Sequence, residues 1–201
     1  MYPKSRDILD LLEKFAPEHL AEEWDNPGLQ VGSYSQEIKK IFLSLDPTMK
    51  SLKATVRQGA QMLLTHHPLI FAPIARLDVS VYPGNVIVEA LKSKICVVTA
   101  HTNLDLAHGG INDILADSLE LQSVEILKES VEMNNTGLGR IGDLPKPDKL
   151  SIIVKRVKEV LGTKKLKMVG RGNLQINRIA VVGGSGGNVY VLSAEGSSAN
   201  W

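Results

Sequence analysis

The amino-acid sequence predicts an α/β fold in two modules. Apolar strand patterns alternate with amphipathic helix patterns over the first part of the 201-residue chain, and the pattern changes after Leu121. Such alternation is typical of a largely parallel sheet with right-handed crossovers. Hydrophobic residues make up 43% and charged residues 22% of the chain, as in globular proteins, so a disordered or fibrous protein is excluded.

The elements of the first module follow in order from the N-terminus. A helix is predicted with Ser5 as its N-cap, and Pro17 ends it. Thr48 is the predicted N-cap of a second helix, which ends near Gly59. The remaining predicted elements are strands 38–45, 61–65 and 95–100, a helix at 86–91, and a helix after Gly109-Gly110.

The second module is predicted from residue 124 onward. Strands at 124–128 and 136–141 precede the predicted breaker Leu144-Pro145-Lys146-Pro147. A helix from Leu150 that Gly162 closes leads to further strands at 165–169 and 178–182. The sequence thus predicts an N-terminal metal-site module at 1–123, a second module at 124–187 and a loop-like tail at 188–201.

Charge and composition limit the partners and the location of the protein. The net charge is +1 and aromatic residues make up 4% of the chain. The sequence therefore predicts neither an electrostatic field that attracts nucleic acid nor an aromatic surface on which its bases stack. Residues 1–15 carry several charges, which argues against a secretory signal, and no apolar run reaches the roughly 18 residues of a membrane span. We expect a soluble, cytoplasmic protein.

The single cysteine, Cys96, lies in the apolar run 95–98. A buried, inert thiol is the expected state there. One cysteine excludes an intrachain disulfide and a cysteine zinc site.

Polar side chains follow three predicted strands at their carboxyl ends. Asp46 follows the first strand, His66 and His67 the second, and His101 with Asp105 the third. Ligands of open α/β sheets gather at this edge, so these residues are candidate metal ligands. Two neighbouring imidazoles could serve two metals, and their nitrogen and oxygen atoms suit zinc, iron, manganese or nickel alike.

A structural interpretation of the same residues stays open. His66 and His67 can instead be loop residues that are hydrogen-bonded to the backbone. Asp46 precedes a proline and can simply open a turn. His19 and His108 are expected at the surface.

Two glycine- or turn-rich segments carry further expectations. In the turn-rich loop 24–28, Trp24 is expected to seal the core, with a pocket-lining role as the alternative. Residues 183–187 (GGSGG) are expected to form a tight strand-to-helix turn, because they have neither the Lys-Ser/Thr pair of a phosphate-binding P-loop nor the glycine spacing of a dinucleotide-binding loop.

Four segments of the chain carry a resemblance to a known family: residues 24–32 (WDNPGLQVG), 64–71 (LTHHPLIF), 100–105 (AHTNLD) and 181–186 (VVGGSG). Together they resemble the Nif-three-like family, whose members are called GTP cyclohydrolase I type 2 homologues or dinuclear-metal-centre hexameric proteins. The resemblance implies two intertwined α/β modules, each a mixed or mostly parallel sheet flanked by helices. It also implies a ring-shaped homohexamer with two divalent metal ions facing the interior of the ring.

The resemblance also implies roles for single residues. His66 and His67 match the paired ligands, one for each metal, and Asp105 matches the carboxylate ligand. His101 matches a pocket histidine suited to acid/base catalysis.

The family's remaining ligands, a His and a Glu one helical turn apart near the C-terminus, have no counterpart here. The last histidine is His108, and Glu195 is the only carboxylate residue after Gly187. The residues after Gly187 are also too few and too loop-like for a crossover and a returning strand. We therefore expect a truncated or frame-shifted C-terminus and an incomplete second module.

Two functions follow as hypotheses. The first is a two-metal hydrolase in which water attacks an electrophilic carbon or phosphorus while His101 transfers protons; for the family's named activity this is opening of the imidazole ring of GTP. The missing His and Glu predict weak or absent activity in this chain. The second is a non-catalytic metal-binding or regulatory ring scaffold.

Overall fold

The computed structural model describes residues 2–130 and 136–184 of the chain. The chain divides into two compact units, and the boundary lies between Leu104 and Asp105. The modules predicted at 1–123 and 124–187 stay a prediction. The predicted tail, 188–201, lies outside the described residues.

The first unit is built around a four-stranded sheet. Its elements are α1 (Ser5–Phe15), a 3-10 helix (Glu18–Leu20), β1 (Gly28–Val31), β2 (Ile41–Ser44), α2 (Met49–Arg57), β3 (Met62–Thr65), α3 (Gly84–Lys92) and β4 (Cys96–Thr99), followed by α4 (Thr102–Leu106) across the boundary. The strand order is β1-β4-β3-β2. Strands β2, β3 and β4 are parallel, as predicted, whereas β1 is antiparallel to β4 and was not predicted.

The core of the first unit lies where the central strands meet α2 and α3. Leu63 of β3 and Val97 of β4 are fully buried against Leu52 and Val86 of these helices. Cys96 is also fully buried, as expected, and burial raises the pKa of its thiol. A sheet covered in this way leaves the ends of its strands as the place for polar side chains.

The sequence predicts the N-cap of α2 correctly but not that of α1. Thr48 caps α2 as predicted, because its hydroxyl accepts a hydrogen bond from the Ser51 amide at 3.1 Å. Ser5 is not the N-cap of α1, because Lys4 takes that position. Ser5 is fully buried instead and its hydroxyl donates to the Ser33 carbonyl, a contact that the sequence spacing does not reveal.

The second unit contains an antiparallel sheet in the order β5-β6-β7. Its elements are α5 (Ile111–Ser118), β5 (Gln122–Glu129), β6 (Gly137–Lys149), α6 (Leu150–Val160) and β7 (Gln175–Val181). Ile153 of α6 packs with Leu144 of β6 and Ile176 of β7 in the core of this unit. The predicted class, α/β with sheets flanked by helices, is confirmed.

Two expectations for the second unit are wrong. The segment with Pro145 and Pro147 does not end the strand, because β6 runs through it to Lys149. The pairing of β6 with β7 shifts register between Asp143 and Asp148, and such an irregularity accommodates prolines that cannot donate to the ladder. Residues 165–169 are described but form no strand, and Val169 is almost fully exposed.

None of the helices in the described ranges has the length and hydrophobicity needed to cross a membrane.

Candidate metal site

Three histidines meet at the carboxyl ends of the parallel strands β3 and β4. His66 and His67 directly follow β3, and His101 follows β4 by one intervening residue. Their side-chain nitrogens that could bind a metal all lie within 4.8 Å of one another. The structure therefore brings together three of the four side chains to which the family resemblance assigns a role in the site.

A turn after β3 lets neighbouring histidines share one site. The Thr65 hydroxyl donates to the His67 carbonyl at 2.8 Å, and the His67 amide donates to the Leu45 carbonyl at 3.0 Å. These bonds take the chain out of the ladder, in which adjacent side chains would point to opposite faces. The rings of His66 and His67 lie with their centroids 5.1 Å apart, tilted by 50°.

The proton of the His66 ring is located by its hydrogen bond. Nδ1 of His66 lies 3.0 Å from the Ala100 carbonyl oxygen. A carbonyl oxygen only accepts, so Nδ1 donates and Nε2 carries the basic lone pair. This is the backbone contact of the structural interpretation, and it also leaves the ring in the tautomer that binds a metal through Nε2.

The other two rings are oriented by carboxylates. Nδ1 of His67 donates to Asp46 Oδ1 at 2.7 Å, and Nδ1 of His101 donates to Asp25 Oδ1 at 2.8 Å. In both rings Nε2 is again the basic nitrogen. A carboxylate behind each ring fixes its orientation, as for histidines that bind metals.

Asp25 is the buried member of this arrangement. Its side chain is fully buried and accepts from the Thr102 amide at 3.0 Å and from the Thr102 hydroxyl. Burial raises the pKa of Asp25, but the hydrogen bonds from Thr102, His101 and the Asn26 amide outweigh burial and lower it. Asp25 therefore favours the ionised carboxylate form. No role was predicted for it from the sequence, although it lies in the WDNPG segment.

Asp46 opens a turn, as in the structural interpretation, and its side chain contacts a histidine of the cluster. Its carboxylate contacts His67 and is 55% exposed. Its backbone carbonyl accepts from the Ser51 hydroxyl at 2.7 Å and from the Ser44 hydroxyl at 3.1 Å, as expected of a turn residue.

Asp105, the fourth predicted site residue, belongs to the second unit. It lies on α4, is buried, and its carbonyl accepts from the Asn112 side chain at 2.8 Å. Its role as a metal ligand stays a prediction. His19 and His108 are exposed, as expected.

Trp24 does not seal the core, contrary to expectation. More than half of its side chain is exposed, and its ring lies 5.6 Å from that of Phe71 and 6.0 Å from that of His101, centroid to centroid. The loop that carries it is fixed by Asp25, which faces inward, and this leaves the preceding side chain at the rim of the site. The pocket-lining alternative agrees with this position.

The glycine-rich segment is described only at its start. The Gly183 amide donates to the Asn112 side chain at 2.8 Å, and Gly184 has a positive φ of 70°, which suits a turn. Residues 185–187 lie outside the described ranges.

The fold and the site define a mixed α/β protein with a histidine-rich candidate metal site. The family profile described as Duf34/NIF3 (NGG1p interacting factor 3) matches residues 3–199. The chain therefore belongs to this family, and the predicted resemblance is confirmed.

Individual relatives agree with this assignment. The chain is 36% identical over 187 residues to the GTP cyclohydrolase 1 type 2 homolog of Clostridium perfringens. The aligned region covers 93% of this chain and 71% of the relative. It is 33% identical over 195 residues to the protein of the same name from Lactococcus lactis, covering 96% and 74% of the two chains. The crystal structure of a NIF3-related protein from Bacillus cereus has the same fold, with a TM-score of 0.89 at 24% identity, over 98% of this chain and 81% of the other.

Proposed function

We propose that this chain is a divalent-metal-dependent hydrolase whose site is built on His66, His67 and His101. The observation that carries this proposal is that all three rings have Nδ1 engaged with an oxygen acceptor while their nitrogens converge within 4.8 Å. Chance surface histidines have no reason to share one tautomer. The donor set fits a metal that accepts imidazole nitrogen.

The residues divide into holding and proton-transferring roles. His66 and His67 hold metal through Nε2. His101 takes up and returns a proton at Nε2, and the buried carboxylate of Asp25 stabilises the imidazolium that forms when it does. A bound divalent metal supplies Lewis-acid activation of substrate and water.

The finer parts of the proposal rest on the family resemblance. They are a second metal ion, Asp105 as the carboxylate ligand, and GTP or a related small molecule as substrate. The donor types leave zinc, iron, manganese and nickel as candidates.

Assembly and location complete the proposal. The segment 74–82 exposes several large apolar side chains, which suits burial against another copy of the chain in a homo-oligomer: Ile74, Leu77, Val79, Val81 and Tyr82. The hexamer of the family and a cytoplasmic location are carried over as predictions. Sedimentation tests the assembly, and a monomer at micromolar concentration would contradict it.

The rival proposal is a metal-binding scaffold without turnover. The buried Asp25 behind His101 also suits an imidazole that takes up a proton, and this pair favours the enzyme. The discriminating experiment compares wild type with His101→Gln, with manganese or zinc added, following ring-opened product or phosphate from GTP. The proposal expects metal-dependent wild-type turnover that the variant loses while its metal content stays unchanged. Absence of turnover with every metal supports the scaffold.

A further inference from the structure

Two large aromatic side chains stand exposed beside the histidine cluster. Trp24 is 55% and Phe71 58% exposed, and their rings contact each other at a tilt of 39°. The Trp24 and His101 rings form a T-shaped pair, with an interplanar angle of 75° and centroids 6.0 Å apart. We call Trp24 and Phe71 the aromatic platform. Its exposed surface thus lies next to the proposed proton-transfer group.

The aromatic platform is held in place by hydrogen bonds between its two loops. The Asn26 side chain donates to the Ile70 carbonyl at 2.7 Å, and the Ile70 amide donates to the Gln30 side chain at 3.1 Å. Gln30 in turn donates to the Asn26 carbonyl at 2.7 Å. These bonds fix the residues directly after Asp25 and directly before Phe71, so neither ring needs to be ordered when a ligand arrives.

The chemistry of the aromatic platform selects flat rings. Exposed aromatic faces stack favourably on a conjugated ring, whereas an anionic group gains nothing from the negative face of an aromatic ring. Stacking of one base on aromatic side chains changes affinity by about tenfold or more. The neighbouring His66, His67 and His101 supply the polar groups that such a ring's phosphate or carbonyl substituents need.

We infer that Trp24 and Phe71 bind a planar, conjugated ring of the ligand and hold its polar part against the histidine cluster. The inference rests on the proposed function for the role of the cluster, but the ring preference itself can be measured without metal. Its occupant is a small-molecule ring of nucleobase type. A protein partner on the same two rings is an outcome that the test separates.

The test compares two probes, AMP and ribose 5-phosphate, of which only AMP carries a nucleobase. Dissociation constants are measured by calorimetry for the full chain, both metal-loaded and after chelator treatment. The variants are Trp24→Ala, Phe71→Ala and the conservative Trp24→Phe. The matched control is Tyr34→Ala, which removes an equally exposed ring that packs on Arg6 instead.

The inference expects AMP to bind wild type about tenfold or more tightly than ribose 5-phosphate. Both alanine variants should lose this preference, whereas Trp24→Phe and Tyr34→Ala should keep most of it. Unfolding curves that match wild type exclude misfolding as the cause, and Phe71→Ala decides the matter if Trp24→Ala does not fold. Equal binding of the two probes to wild type overturns the inference, as does an AMP preference that survives in Phe71→Ala. A shift in sedimentation on Trp24→Ala with no change in probe affinity also overturns it, in favour of a protein partner.

Failure of the proposed function leaves a different signature. A chain that takes up no metal, but whose metal-free form prefers AMP through Trp24 and Phe71, loses the hydrolase and keeps the aromatic platform. A chain that binds metal through His66 and His67 but treats both probes alike keeps the metal site and loses the platform.

Discussion

The imidazole of His101 and the carboxylate of Asp25 are joined by a 2.8 Å hydrogen bond between Nδ1 and Oδ1. The same carboxylate accepts two further bonds from Thr102 through Oδ2. One buried side chain therefore fixes both the tautomer of His101 and the start of the helix that follows it. The site depends on this acceptor-only group.

Replacement of Asp25 by Asn should disturb either Thr102 or His101, depending on the orientation of the new amide. With the amide nitrogen towards Thr102, two donors face each other; with it towards His101, Nδ1 must accept and the proton moves to Nε2. We expect loss of the wild-type His101 tautomer, or a loss of about 1–3 kcal/mol in the free energy of unfolding. Nitrogen NMR of the ring and chemical denaturation measure the two effects.

The control for this change is Asp46→Asn. Asp46 makes the equivalent contact to His67 but is 55% exposed, so water can replace the lost acceptor. We expect a change within about 0.5 kcal/mol in the free energy of unfolding. Equal effects of the two substitutions would contradict the role assigned to the buried carboxylate.

The ion pair of Arg140 and Asp113 should stabilise the second unit. Arg140 is buried and donates to Asp113 Oδ2 at 2.9 Å and to the Gly139 carbonyl at 2.8 Å. Asp113→Ala leaves a buried charge without its counter-ion and should cost about 3–5 kcal/mol of unfolding free energy. Glu125→Ala removes an exposed partner of Arg178 and should cost no more than about 1 kcal/mol.

The cost of Asp113→Ala should also depend on pH. Burial raises the pKa of Asp113, but the hydrogen bonds from Arg140 and the Gly109 amide outweigh burial and lower it below the usual value. A depressed pKa contributes stability above the unfolded value of about 3.9 and loses that stability as the pH falls through the folded value. The difference between wild type and variant should therefore shrink on acidification below about pH 4. A difference that grows would contradict the assignment.

Cys96 should resist thiol reagents in the folded protein. It is fully buried, and its thiol pKa is raised by burial, so little thiolate is available for reaction. Mass spectrometry after iodoacetamide treatment should find the thiol unmodified until denaturant is added. Rapid modification under native conditions would indicate that β4 opens or that the sheet is packed differently.

Local patterns predicted most elements and the meeting of the histidines. The rule that parallel strands end at one edge was enough to group His66 and His67 with His101, because it needs only strand direction. The role of Asp25 was not predicted because its partner, His101, is 76 positions away, and no local spacing encodes that contact. Trp24 was misplaced because a tryptophan is usually buried, whereas here its neighbour Asp25 takes the inward position.

The prolines of β6 illustrate a second limit of the sequence. Pro145 and Pro147 predict a break when the segment is taken alone, since neither can donate a ladder hydrogen bond. The strand continues because its pairing with β7 is irregular between Asp143 and Asp148. Such an accommodation depends on a partner strand that lies far along the chain.

The central claim is that His66 and His67 bind a divalent metal, and metal content measures it most directly. Wild type, His66→Ala and His67→Ala are incubated with zinc or manganese, dialysed and analysed by elemental mass spectrometry. His19→Ala, which removes an exposed histidine outside the cluster, is the control. The account predicts bound metal in wild type and the control and its loss in both cluster variants, because each lost ligand removes a large part of the binding free energy. Equal metal content in all four proteins would contradict it.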